Sequence, residues 1–139
     1  MNPKDPFTTY VTPHFQLGEL ALWQEQRRFQ HAWQMDVAKE LCCFLEVVRE
    51  HFKARPVIIT SGYRPPAINA AVGGASGSEH LFDQPEKGAV DVQVERVPIL
   101  DVETFISARW PYSVGLGARS RGMVHVGIRP GRPRVRWNY

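Results

Sequence analysis

Residues 78–92 read SEHLFDQPEKGAVDV and place a histidine and an aspartate on either side of a short polar loop. The aspartate, Asp91, lies in the middle of the apolar run 89–94, which predicts a strand. Aspartate is disfavoured inside strands, and a buried carboxylate without a partner is energetically costly. Asp91 therefore requires a partner, which could be a salt bridge, a set of backbone donors or a metal ion.

The composition indicates one globular domain. The chain has 139 residues, 43% hydrophobic and 22% charged, which is enough for a substantial core. Because Cys42 and Cys43 are adjacent, we expect neither a disulfide framework nor cysteine ligands to zinc. The N-terminus lacks the apolar stretch of a signal peptide, and no apolar run is long enough to cross a membrane. We therefore expect a protein that is cytoplasmic as synthesised and is not inserted in a membrane.

The spacing of apolar residues predicts an α+β domain over residues 1–139, with 1–14 as an extended N-terminal arm containing three prolines. Helices are predicted at 36–52, from residue 66 or 67 to the glycine pair at 73–74, at 97–108 and, as a short element, at 15–22. Strands are predicted at 57–60, 89–94, 113–116, 123–128 and 134–137. The pattern does not decide the secondary structure of the polar segment 24–34. Helices followed by strands with helical crossovers are typical of the α+β class.

Strand alternation places two metal-competent side chains on corresponding faces. Alternate aliphatic residues form one face of 89–94 and one face of 123–128, which leaves Asp91 and His125 on the opposite faces. If both strands lie in one sheet, the two side chains can meet, and His80 is close enough in the chain to join them. Two imidazoles and one carboxylate form a known open catalytic zinc set. Spacing alone leaves a second interpretation open, in which the histidines are ordinary residues and Asp91 pairs with an arginine.

Several segments resemble a known family. ITSGYRPPAINAAVGGASGSEHLF (59–82), GAVDVQV (88–94) and MVHVGIRP (123–130) resemble the zinc D-alanyl-D-alanine carboxypeptidases and endopeptidases of metallopeptidase family fifteen, which have a hedgehog-type zinc fold. The resemblance covers roughly residues 13–137, since HFQLGEL (14–20) is similar to the family's entry segment. It implies a small, mainly antiparallel sheet flanked by helices. It also implies that His80, Asp91 and His125 bind zinc.

The resemblance assigns further roles by position. Arg64 matches the arginine that contacts the substrate carbonyl or carboxylate as negative charge develops, a task suited to a planar guanidinium. Ser78 matches the serine before the first ligand, which helps to seat the substrate, and we assign Tyr63 to substrate binding with it. Without the resemblance, Arg64 would be interpreted as an exposed turn residue and Ser78 as a helix N-cap or loop hydroxyl.

Two departures from the family pattern concern the general base. The interval between His80 and Asp91 is longer than the family's H-x-x-G-x-A-x-D spacing, and glycine occupies position 122, where many members have the acidic base. We expect Glu79 to point away from the metal, because neighbouring residues of an extended segment project to opposite sides. Asp83 and Glu86 in the longer loop are therefore the predicted candidates for the general base.

The resemblance implies a zinc peptidase whose substrate is the peptidoglycan stem peptide, cleaved as a D-Ala-type carboxypeptidase or endopeptidase. A lone catalytic domain resembles phage lysis enzymes, so we expect action on the cell wall after release, or association with virion proteins. The alternative is a zinc-binding, non-catalytic structural or wall-docking module, suggested by the missing acid. A third possibility is a nucleic-acid-binding protein, but the C-terminal arginines lack interleaved aromatic residues or a helix-turn-helix pattern and predict a solvated basic rim.

Overall fold

The computed structural model describes residues 1–139 and contains five α-helices, a two-stranded hairpin and a five-stranded sheet. The strands are β1 (Tyr10–Thr12), β2 (Phe15–Gln16), β3 (Val57–Ser61), β4 (Gly88–Val94), β5 (Ser113–Leu116), β6 (Val124–Ile128) and β7 (Val135–Asn138). The helices are α1 (Leu17–Leu20), α2 (Ala32–His51), α3 (Pro66–Ala71), α4 (Ile99–Arg109) and α5 (Ala118–Arg121). The predicted α+β class is confirmed.

The five-stranded sheet has the order β3-β4-β6-β5-β7. Its first four strands pair antiparallel, and only β7 joins β5 in parallel. Helices α2 and α4 contribute apolar faces to the core beneath the sheet, with Leu41, Leu45 and Ile106 fully buried. Each such side chain stabilises the fold by roughly 1.5–3 kcal/mol relative to exposure. The sheet is therefore mainly antiparallel and flanked by helices, as the resemblance implied.

The longest helix begins earlier than its apolar stripe predicts. Helix α2 starts at Ala32 rather than at Asp36. The backbone N–H of His31 donates to Oε1 of Gln34 at 3.0 Å, so Gln34 satisfies a donor at the helix end in the manner of a capping box. The amide of Gln34 also donates to the carbonyl of Phe82 at 2.9 Å. These polar residues at the start of α2 lie outside its apolar stripe. Through Gln34 they attach α2 to the loop that follows His80.

The segment predicted as an extended arm includes β1, which forms a hairpin with β2, and this hairpin docks on α2. Strands β1 and β2 pair antiparallel, and Val11 and Phe15 are buried in the core. The hydroxyl of Thr12 donates to Glu46 of α2 at 2.7 Å. The helix predicted at 15–22 is reduced to the single turn α1 because β2 occupies its first two residues. None of the helices combines the length and apolar character needed to cross a membrane.

Candidate metal centre

Asp91 and His125 face each other directly across the two central strands of the sheet. The antiparallel register of β4 and β6 pairs these two residues, and their neighbours Val90, Val92 and Val126 are fully buried on the opposite face. Oδ1 of Asp91 lies 3.0 Å from Nδ1 of His125. The prediction from strand alternation is confirmed, because both side chains project from the same face and meet there.

His80 reaches the same point from a 3₁₀ turn, Glu79–Leu81, that precedes β4. Oγ of Ser78 accepts a hydrogen bond from the backbone N–H of His80 at 3.2 Å, so Ser78 caps this turn. Nε2 of His80 lies 3.2 Å from Oδ1 of Asp91. One ligand atom from each of His80, Asp91 and His125 lies within 4.8 Å of the others. The three predicted ligands are therefore brought together.

The two imidazole rings are oriented by hydrogen bonds on their outer nitrogens. Nδ1 of His80 lies 2.8 Å from the carbonyl oxygen of Gly62, which fixes this nitrogen as the donor. Nε2 of His125 lies 2.7 Å from Oε1 of Glu79. Metal-binding histidines almost always use their second nitrogen in this way, towards a carbonyl or a carboxylate. Each ring therefore presents its remaining nitrogen to Asp91, and the donor set fits zinc.

The surroundings of the three side chains set their charges. Burial raises the pKa of Asp91, but the close imidazoles of His125 and His80 outweigh burial and hold the pKa below its ordinary value. Burial lowers the pKa of His80, which favours the neutral imidazole that binds metals. Burial also lowers the pKa of His125, but Asp91 and Glu79 outweigh it and leave this pKa raised. The site therefore combines an ionised carboxylate with one neutral and one carboxylate-bound imidazole.

Glu79 was expected to point away from the metal, but its carboxylate turns towards the site and contacts the candidate ligand His125. The segment is a 3₁₀ turn rather than an extended strand, so successive side chains differ by about 120° rather than 180°. Glu79 is only 6% exposed and bridges His125 to Arg129, whose Nε donates to Oε2 at 2.6 Å. A signal for this residue was available in the sequence: Gly127 stands inside a strand, where glycine often marks a close approach.

A cavity of about 1000 Å³ opens over the three candidate ligands. Its wall includes Ser78 and Arg64, the two residues to which the resemblance assigns substrate contacts. Nε of Arg64 is buried without a hydrogen-bond partner. The other cationic side chains of the wall are Arg27, Lys87, Arg121 and Arg129, and its aromatic side chains are Trp137 and Tyr139. The cavity is therefore a positively charged cleft with an aromatic side.

The structure places Tyr63 in the core instead of the cavity. The ring is 3% exposed and stacks on Phe29 with ring centroids 5.1 Å apart. It also meets Phe82 edge-to-face at 5.8 Å. The turn after β3 thus sends Tyr63 inward and Arg64 outward. The assignment of Tyr63 to substrate binding is corrected to a packing role.

The structure does not bring Asp83 and Glu86 to the ligands. Oδ1 of Asp83 lies 2.7 Å from Nζ of Lys87, and Oε1 of Glu86 lies 3.1 Å from Nε of Arg132. Arg132 also holds Glu40 of α2 through two hydrogen bonds of 2.7 and 3.0 Å. Both loop carboxylates are about half exposed, and the loop lines the cavity through other side chains. The loop is thus fastened to α2, and its acids are held in ion pairs.

Position 122, where many family members have an acid, is occupied by a glycine in the left-handed conformation. Gly122 has φ +70° and ends helix α5. Its carbonyl accepts a hydrogen bond from the side chain of Gln93 at 2.8 Å. A left-handed helix end favours glycine over residues with a side chain. This position therefore serves the backbone and offers no carboxylate.

Comparison with known proteins agrees with the geometry. A family model described as Peptidase M15 matches residues 13–127, a range that contains the three candidate ligands together with Arg64 and Ser78. No curated protein matches the chain. The matched range covers most of the sequence and includes both central strands of the sheet. The chain therefore belongs to the M15 family of peptidases.

Proposed function

We propose that this protein is a zinc-dependent peptidase that hydrolyses peptide bonds of peptidoglycan stem peptides, as a D-Ala-type carboxypeptidase or an endopeptidase. The observation that carries the proposal is the convergence of His80, Asp91 and His125 beneath a cavity in a chain of a peptidase family. Two histidines and one carboxylate are the donor types of open catalytic zinc sites.

The residues that would hold zinc offer Nε2 of His80, Oδ1 of Asp91 and Nδ1 of His125. All three residues are buried, and both imidazoles are oriented from behind by hydrogen bonds. When bound, zinc supplies Lewis-acid polarisation of the scissile carbonyl and lowers the pKa of the attacking water. The chain's own contribution is to fix the three donors and to leave one side of them open to the cavity.

Arg64 is the residue best placed to bind the reacting end of the substrate. Its guanidinium lies in the cavity wall, and its buried Nε has no partner within the protein. A guanidinium has five N–H donors and no acceptor, and those N–H groups of Arg64 that reach the cavity can donate to an oxygen of the substrate. A carbonyl that gains negative charge during hydrolysis accepts such a bond more strongly in the transition state than in the ground state.

The charge of the cavity supports an anionic peptide as the substrate. Arg27, Arg64 and Arg121 line it without an ion-pair partner, whereas Lys87 and Arg129 pair with Asp83 and Glu79. The carboxylates of the wall, Glu79 and Asp91, are buried and engaged with the histidines. Stem peptides carry free carboxylates, and clustered cations raise the local concentration of such ligands. Trp137 and Tyr139 add an aromatic side against which the apolar parts of a peptide can pack.

The test combines metal content with hydrolysis of a defined substrate. Purified wild-type protein should contain one zinc per chain and release new amines from purified peptidoglycan. A chelator should abolish this activity, and added zinc should restore it. His80→Ala, Asp91→Ala and His125→Ala should lose zinc, whereas His14→Ala, at a surface histidine paired with Glu46, should keep it.

Two results would contradict the proposal in different ways. Ligand variants that fold and retain full zinc would show that the metal lies elsewhere. A wild-type protein that binds zinc but cleaves neither peptidoglycan nor synthetic D-Ala-D-Ala peptides would support a non-catalytic, wall-docking module instead.

A further inference from the structure

We propose that Glu79 is a positioning residue that orients His125 towards the metal, and that Gly127 is the residue whose missing side chain admits the Glu79 carboxylate. The proposal rests on the proposed function, because it assumes that His125 is a zinc ligand. It gives the buried carboxylate of Glu79 a positioning role and not the role of a general base.

Both oxygens of Glu79 are engaged. Oε1 lies 2.7 Å from Nε2 of His125, and Oε2 accepts from Nε of Arg129 at 2.6 Å. The carboxylate is almost fully buried, whereas Arg129 is 42% exposed on the cavity side. A buried carboxylate is tolerated when its oxygens are paired and hydrogen-bonded. Glu79 is therefore held between a fixed cation and the imidazole, which suits positioning better than proton shuttling.

The contact with Nε2 determines which nitrogen of His125 faces the metal. A carboxylate on Nε2 holds the proton there and leaves the lone pair of Nδ1 directed at Asp91. It also raises the basicity of the ligand nitrogen, and loss of such partners typically weakens metal binding by about 10–100-fold. Another neighbour of the ring, Trp137, packs edge-on with centroids 4.9 Å apart and contributes shape without a hydrogen bond to it.

Gly127 makes this arrangement possible. Residues 125, 127 and 129 alternate onto the same face of β6 and its continuation, so any side chain at 127 would lie beside the imidazole. A Cβ built at this position would overlap Oε1 of Glu79 and lie 2.9 Å from Nε2 of His125. Glycine weakens a strand interior, and here it leaves the room that the glutamate occupies.

The test measures zinc affinity by competition with a chromophoric chelator, together with the Tm of the metal-free and zinc-loaded protein. Glu79→Ala should weaken zinc binding by about 10–100-fold. Glu79→Gln should weaken it less, because the amide oxygen can still accept from Nε2. Gly127→Ala should approach the effect of Glu79→Ala. Glu86→Gln is the matched control: its carboxylate also pairs with an arginine but lies away from the ligands, and zinc affinity should not change.

Several outcomes would overturn the inference. If Glu79→Gln and Glu79→Ala lower the Tm of the metal-free protein but bind zinc as the wild type does, Glu79 is only structural. If zinc-saturated Glu79→Gln still loses about 100-fold or more in turnover, Glu79 is the general base. If Glu79→Ala does not fold, the zinc affinity of the near-isosteric Glu79→Gln variant tests the inference by itself. A wild type that binds no zinc would refute the proposed function itself, which is a different result from unchanged affinity in the variants.

Discussion

The backbone N–H of Arg64 donates to the carbonyl of His80 at 2.8 Å. A second hydrogen bond runs in the opposite direction, because Nδ1 of His80 lies 2.8 Å from the carbonyl oxygen of Gly62, in the same turn as Arg64. The turn after β3 and the 3₁₀ turn before β4 are thus joined by two hydrogen bonds. The arginine that faces the cavity and the first candidate ligand are therefore held as one unit, and a shift in either turn displaces both.

Gly62 is the position where this unit is most sensitive to substitution. A Cβ at Gly62 would overlap the backbone oxygen of Leu20, which accepts the N–H of Tyr63. Gly62→Ala should therefore destabilise the protein by about 1–3 kcal/mol and weaken zinc binding, because His80 loses its oriented partner. Urea unfolding and chelator competition measure the two effects. Gly77→Ala, where nothing lies within 4 Å of the new methyl group, should change neither.

Arg64→Ala should reduce activity much more than stability. The buried Nε of Arg64 has no partner in the protein, so its loss breaks no intramolecular hydrogen bond. Loss of a charge-assisted contact in the transition state should lower kcat by about 10²–10³-fold. Turnover at saturating zinc and thermal unfolding test this prediction. Arg27→Ala, another cavity arginine, is the control and should cost less; equal turnover for Arg64→Ala and the wild type would make Arg64 an ordinary wall residue.

The loop acids provide a direct test of the general-base hypothesis. Since Asp83 pairs with Lys87 and Glu86 with Arg132, we expect Asp83→Asn and Glu86→Gln to keep near-wild-type turnover. Their stabilities should change by no more than about 1 kcal/mol, as is usual for exposed ion pairs. The measurement is turnover at verified zinc content. A loss of about 10²–10⁴-fold confined to one variant would identify that residue as the base.

The hairpin β1–β2 should loosen at acidic pH. Burial raises the pKa of Glu46, but hydrogen bonds from Thr12 and His14 outweigh it and hold the pKa below the ordinary value of 4.5. Because the folded-state pKa is the lower one, the contact stabilises the hairpin above pH 4.5 and is lost as pH falls through the folded-state pKa. Hydrogen exchange in the hairpin, corrected for intrinsic rates, should rise over that range. In Glu46→Gln the protection should be low at every pH.

The features that the sequence predicted best are those that depend on regular strand geometry. Period-two alternation is a local property, so it placed Asp91 and His125 on equivalent faces before their pairing was known, and the register of β4 and β6 confirmed it. The bounds of β5 were also predicted correctly, because turns flank a short apolar run. The adjacency of β4 and β6 entered only as a condition of the prediction, since α4 and β5 separate the two strands in the chain.

Irregular segments were predicted less well because distant partners orient their side chains. The direction of Glu79 depends on a 3₁₀ turn capped by Ser78 and on Arg129, 50 residues further along the chain. Ser78 caps this turn, as the interpretation without the resemblance predicted, and it also lies in the cavity wall. The direction of Glu86 depends on Arg132, which also binds Glu40 from 92 residues away. Local sequence spacing contains no information about such contacts.

The direct pairing of Asp91 and His125 also bears on the order of folding. These residues are 34 positions apart, and they meet only when the two central strands have found each other. Closing long loops is a late and slow event, so a metal bound by this pair is not available to nucleate the chain. The binding energy of the metal instead stabilises the folded state relative to the transition state for unfolding. Zinc should accordingly lengthen the lifetime of the folded protein while leaving its rate of formation almost unchanged.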